Sequence, residues 1–110
     1  MKKHDKLNLI DNYVEIYRVI FECTQAIKNC KDIETLKNLS ELCISTLNLK
    51  KLYEKTFKDI NMMDDSLILL KMQLEDSLKN PIIPQNKKIF SFEFLLNKKK
   101  ILEKYLKTII

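Results

Sequence analysis

Residues 32–60 read DIETLKNLSELCISTLNLKKLYEKTFKDI, and this stretch decides the fold. Apolar side chains fall at Ile33, Leu36, Leu39, Leu42, Cys43 and Leu47, and the pattern continues through Leu49, Leu52, Tyr53, Phe57 and Ile60. Spacings of three and four are the period of a helix with one side turned to a core, not the alternation of a strand. Asp32 can accept the free amide hydrogens of a first turn, and Glu34 puts an acid where the helix dipole favours one. No glycine or proline breaks the run near Asn48, so it predicts one long helix or two joined by a kink.

Upstream, Leu7, Ile10, Val14, Tyr17 and Phe21 make one helical stripe, and Tyr13, Ile16, Ile20, Cys23 and Ile27 make a second beside it. Two adjacent stripes form one broad apolar surface, which predicts a first helix from Leu7 to about Asn29 near the centre of the fold. Asp5 is the expected cap, and Met1 to Lys6 is expected to be mobile. Downstream, Asp64 or Asp65 can start a helix carrying Leu67, Leu70, Leu74 and Leu78, which Asn80 and Pro81 end. Pro81 to Lys88 reads as the one real loop, because each proline pushes the residue before it toward extended geometry. Phe90, Phe92 and Phe94 alternate briefly, as a short strand would, before helical spacing resumes over roughly residues 92–109.

With 110 residues, 45% of them apolar and 32% charged, the chain has the composition of one folded domain spanning 1–110. Glycine is absent, which removes the usual residue for left-handed turns and phosphate-cradling loops and excludes Walker and dinucleotide motifs. Heptads with charged flanks do not persist far enough for a simple coiled coil. The expected fold is therefore all-α: a compact antiparallel bundle of four helices, or of three with a long, kinked second helix.

Nineteen of the twenty basic residues are lysine, Arg18 being the exception, beside fourteen isoleucines and nine asparagines. Such a bias matches an A/T-rich coding sequence, but it does not explain where the surplus sits. Residues 87–110 carry Lys87, Lys88, Lys98, Lys99, Lys100, Lys104 and Lys107 against Glu93 and Glu103, a net of +5. The charges of residues 1–86 cancel. On the last helix Glu93, Asn97, Lys100, Lys104, Lys107 and Thr108 make a polar arc. Lys98, Lys99 and Glu103 split the remaining side into two apolar stripes, Leu95, Leu102, Leu106 and Ile109 in one, Phe94, Ile101 and Tyr105 in the other.

Chemistry-bearing residues are sparse. Cys23, Cys30 and Cys43 leave at least one thiol unpaired, and the N-terminal residues do not resemble a signal peptide, so a reducing cytosol or nucleus is expected, with a cytoplasmic location preferred. The longest apolar run, Leu67 to Leu70, is far short of the ~20 residues that span a bilayer. No close cysteine pair of the zinc-binding kind occurs, and Cys23 and Cys30, seven apart, suit packing, with Cys30 the most exposed thiol. His4 is the only histidine and lies in a lysine-rich N-terminus expected to be mobile, which argues against a cysteine–histidine pair. Carboxylates are scattered on presumed solvent faces, and Asp64 and Asp65 read as caps. The chain is expected to be no enzyme, with no catalytic residue, metal, cofactor or small-molecule substrate.

An interaction role is what remains. The candidate partner-binding residues are Phe94, Lys98, Lys100, Ile101, Lys104, Tyr105 and Lys107, with another protein or a second copy of the chain as partner, as in an adaptor, inhibitor or regulator. Nucleic acid is the alternative partner through the same lysines, although the shortage of arginine disfavours base readout. Membrane-surface association comes third, since the apolar side of the same helix is needed for the core. Bacteriocin immunity proteins, phage and viral host-takeover factors and secretion chaperones share this size and class, but no residue motif selects among them.

Overall fold

The computed structural model describes residues 3–80 and 89–109, which form α1 (Lys3–Lys28), α2 (Ile33–Asp59), α3 (Asp65–Lys79) and α4 (Phe92–Ile109). The protein is an all-α four-helix bundle, with no strand among the described residues. The brief alternation of Phe90, Phe92 and Phe94 is overruled: Phe92 opens α4, because the apolar period of three and four that follows recruits it. The loop expected at Pro81–Lys88 lies outside the described residues, as do Met1 and Lys2.

Helix α1 packs against each of the other three, and α2 also packs against α4. The central position follows from its broad apolar surface: Leu9, Tyr13, Ile16, Val19, Ile20, Cys23 and Ala26 are all buried. At roughly 1.5–3 kcal/mol per fully buried large apolar side chain, this helix supplies a large share of the core. Helix α1 begins at Lys3, so Asp5 sits in its first turn as an acid near the positive end of the dipole rather than as the cap, and residues 3–6 are helical.

Residues 33–59 form one uninterrupted helix. Asp32 caps it, accepting hydrogen bonds from the Thr35 amide at 3.1 Å and the Thr35 hydroxyl at 2.7 Å, and these hold its carboxyl below the usual range. Its buried side runs through Leu39, Leu42, Thr46, Leu49, Tyr53, Thr56 and Phe57. The threonines are tolerated there because each hydroxyl donates to the carbonyl four residues back, Thr46 to Leu42 and Thr56 to Leu52. Ile33, Leu36, Leu47 and Leu52, which share the apolar pattern, lie exposed instead.

The α2–α3 turn supplies a left-handed position without glycine. Asn61 adopts φ +60, its amide donates to the Lys58 carbonyl, and the Met62 amide reaches back to the Phe57 carbonyl at 2.8 Å. This pair of bonds is the Schellman helix ending, with asparagine in the slot glycine usually fills. Asp64 then caps α3 by accepting from the Leu67 amide at 2.9 Å.

Candidate functional site on the last helix

Helix α4 is started by Ser91, whose hydroxyl oxygen accepts from the Phe94 amide while its carbonyl accepts from the Leu95 amide. Leu95, Leu102 and Leu106 are buried, with Ile109 half-buried beside them. The Tyr53 hydroxyl of α2 donates to the Leu102 carbonyl at 2.7 Å and fixes which side of α4 faces inward. The other stripe stays outside: Phe94 is 41% and Ile101 67% exposed. Tyr105 departs from them, being half-buried with its hydroxyl 3.4 Å from the Asp5 carbonyl oxygen at the start of α1.

The lysines of α4 divide into paired and unpaired. Lys98 reaches Glu15 of α1 at 3.4 Å and lies 5.4 Å from the centre of the Phe94 ring, a cation–π distance. Lys99 and Lys107 converge on Glu103 at 2.6 and 3.9 Å, which holds that carboxyl below its ordinary value. Lys100 and Lys104, one turn apart and exposed, have no ion-pair partner within 4 Å among the described residues. Of the seven candidate residues, Phe94, Lys100, Ile101 and Lys104 thus lie open together, Lys107 is exposed beside them, and Lys98 and Tyr105 are partly engaged with α1. Lys87 and Lys88 lie outside the described residues.

Two features escaped the periodic reading. Phe90 stacks on Phe94 with ring centres 4.6 Å apart and planes 13° apart, extending the outer apolar surface beyond the helix start. The spacing of four from Phe94 was the available signal. More consequential is a polar cluster where α1, α2 and α3 meet. There the Tyr13 hydroxyl donates to Glu54 at 2.7 Å and the Tyr17 hydroxyl to Glu75 at 2.6 Å, the two hydroxyls being 3.2 Å apart. Lys50 lies 2.9 Å from Glu75 and Lys71 lies 3.2 Å from Glu54. Contrary to the expectation that the carboxylates are merely scattered on solvent faces, Glu54 and Glu75 join three helices.

This cluster ties three helices together. Burial pushes both tyrosine hydroxyls far above their ordinary range, so they stay neutral donors. The hydrogen bond from Tyr17, then Lys50, holds Glu75 below the usual carboxyl value. Among the described residues no buried side-chain polar atom lacks a partner, and no group of three or more His, Cys, Asp or Glu is placed to hold a metal ion. Cys23 is fully buried and its thiol is pushed up to about 12, chiefly by burial. Cys43 is half-buried, and Cys30, also half-buried, donates to the Asp32 carbonyl at 3.2 Å. No helix among the described residues is long and apolar enough to cross a membrane.

Comparison with protein-family models, with curated proteins and with solved structures returns no match.

Proposed function

We propose that the chain works by binding another protein through the outer side of α4, without catalysis and in a reducing compartment. The observation that supports this reading is the pairing of exposed Phe94 and Ile101 with the unpaired lysines Lys100 and Lys104. An apolar strip edged by free cations fits a segment that presents an apolar ridge flanked by carboxylates, such as an acidic amphipathic helix. The role would be that of an adaptor, inhibitor or regulator.

The test compares the chain with Phe94→Ser/Ile101→Ser and Lys100→Glu/Lys104→Glu in capture from its host at two salt concentrations. Both double variants should keep their helical circular dichroism and lose the same captured protein. Loss of helicity in the first variant would place Phe94 and Ile101 in the core. Capture of nucleic acid, lost only with the lysines and falling steeply with salt, would replace this reading with phosphate binding. Capture unchanged in both variants would sink the α4 surface altogether.

A further inference from the structure

Helix α3 is attached to the bundle differently from the other three. Among the described helices it packs directly on α1 alone, whereas α1, α2 and α4 pack on one another. Leu67, in its first turn, is its one fully buried side chain among the described residues, and Leu70, Leu74 and Leu78 are only half-buried. Beyond Leu67, among the described residues, a groove of about 680 Å³ lies between α1 and α3, with Val14 on one wall and Leu74 and Leu78 on the other. On its outward side Ile68, Leu69 and Met72 are exposed.

Beside the half-buried packing of Leu70, Leu74 and Leu78, the rest of α3 is held down by polar contacts. Glu75 accepts from the Tyr17 hydroxyl and pairs with Lys50, and Lys71 pairs with Glu54, which itself accepts from Tyr13. Each link joins α3 to α1 or α2 through side-chain tips, not through interlocked apolar bodies. An element with few buried apolar contacts and a side-chain grip is one that opens below the free energy of global unfolding. The Asn61–Asp64 turn, closed by its own helix-ending and capping bonds, offers the pivot.

We propose that α3 opens and closes as a unit on a body made of α1, α2 and α4, with the Tyr17–Glu75 and Lys71–Glu54 contacts as the clasp. Opening uncovers Val14 and Tyr17 on α1 and the Leu70, Leu74 and Leu78 side of α3. The device is independent of the α4 surface.

Native-state hydrogen exchange of the full chain across a denaturant series tests this. The α3 amides should exchange through a smaller opening, with a weaker denaturant dependence, than the α1 amides between Leu9 and Cys23. Tyr17→Phe should speed α3 exchange about tenfold, the equivalent of one hydrogen bond to a charged group at about 1.4 kcal/mol. Leu106→Val, in a helix that α3 does not touch, should speed exchange in α1, α2 and α4 and leave α3 unchanged. Should Tyr17→Phe not fold, Lys71→Met takes its place as the clasp variant. Exchange of all four helices through one common opening, with Leu106→Val speeding them equally, would overturn the proposal. So would a folded clasp variant with unaltered α3 exchange.

Discussion

The Tyr53 hydroxyl donates a 2.7 Å hydrogen bond to the Leu102 carbonyl oxygen, across 49 residues of sequence, with both residues buried. A buried hydroxyl needs a partner, and here the partner is a backbone carbonyl of α4, the helix that carries the proposed partner surface. Tyr53→Phe should lower stability by about 1 kcal/mol, and Tyr53→Ala by about 3–5 kcal/mol, because it also opens a cavity between α2 and α4. Urea denaturation followed by circular dichroism measures both. A Tyr53→Phe variant as stable as the parent would show that the bond contributes nothing net.

Asn61 holds φ +60 at the end of α2, a position where a Cβ is costly and an asparagine is better tolerated than most residues. Asn61→Ala should destabilise the protein by about 1 kcal/mol, and Asn61→Gly should be neutral to within about 0.5 kcal/mol. Thermal melts of the pair give the comparison. Equal effects of alanine and glycine would mean that the left-handed conformation is not what the site requires.

Acid should weaken the joint between α1, α2 and α3. The Tyr17 hydrogen bond and Lys50 hold the folded Glu75 carboxyl below its ordinary value of 4.5, so its contribution is present above about pH 4.5 and is lost as pH falls through the lower folded value. Glu75→Gln should flatten part of the fall in stability below pH 4.5. A pH series of denaturation midpoints on both proteins checks this.

Alkali should act through the tyrosines. Burial pushes Tyr13, Tyr17 and Tyr53 well above their ordinary value of 10.0, so the stability they contribute is full below pH 10 and is lost as pH rises. Tyr105, half-buried at the surface of α4, is raised too, and it should ionise first and reversibly. Ultraviolet titration should therefore resolve one phenol before unfolding and three with it. Four phenols titrating together in the folded protein would contradict the burial.

Thiol alkylation should follow accessibility and thiolate character. Cys30, half-buried outside the helices, should react first, and Cys43, half-buried with its thiol raised by burial, more slowly. Cys23, fully buried and raised to about 12, should react only through unfolding. Mass spectrometry of timed iodoacetamide reactions gives the order.

Much of the fold was legible because helix signals are local. Asp32 caps the helix it was expected to start, Asp64 is the one of Asp64 and Asp65 that caps α3, and the broad apolar surface of α1 lies at the centre. On α4 even the division into two stripes could be read from Lys98, Lys99 and Glu103. The polar joint was not legible. Tyr13 and Tyr17 looked like ordinary members of an apolar stripe, and Glu54 and Glu75 like ordinary surface acids. Nothing in their own segments announces partners 41 and 58 residues away.

The sequence by itself determined the all-α class, the Asp32 cap and the amphipathic sides the helices could offer, since period and capping chemistry are properties of a few consecutive residues, while it left the number of helices open. Only the tertiary structure decided which of those sides were used. This chain carries more apolar side chains at helical spacing than one small core can enclose. Whether Leu95 or Ile101, Leu49 or Leu52 goes inward therefore depends on the neighbouring helix. The same docking brings Glu54 and Glu75 to Tyr13 and Tyr17, and leaves α3 with one buried side chain, three half-buried leucines and a set of polar contacts to the bundle.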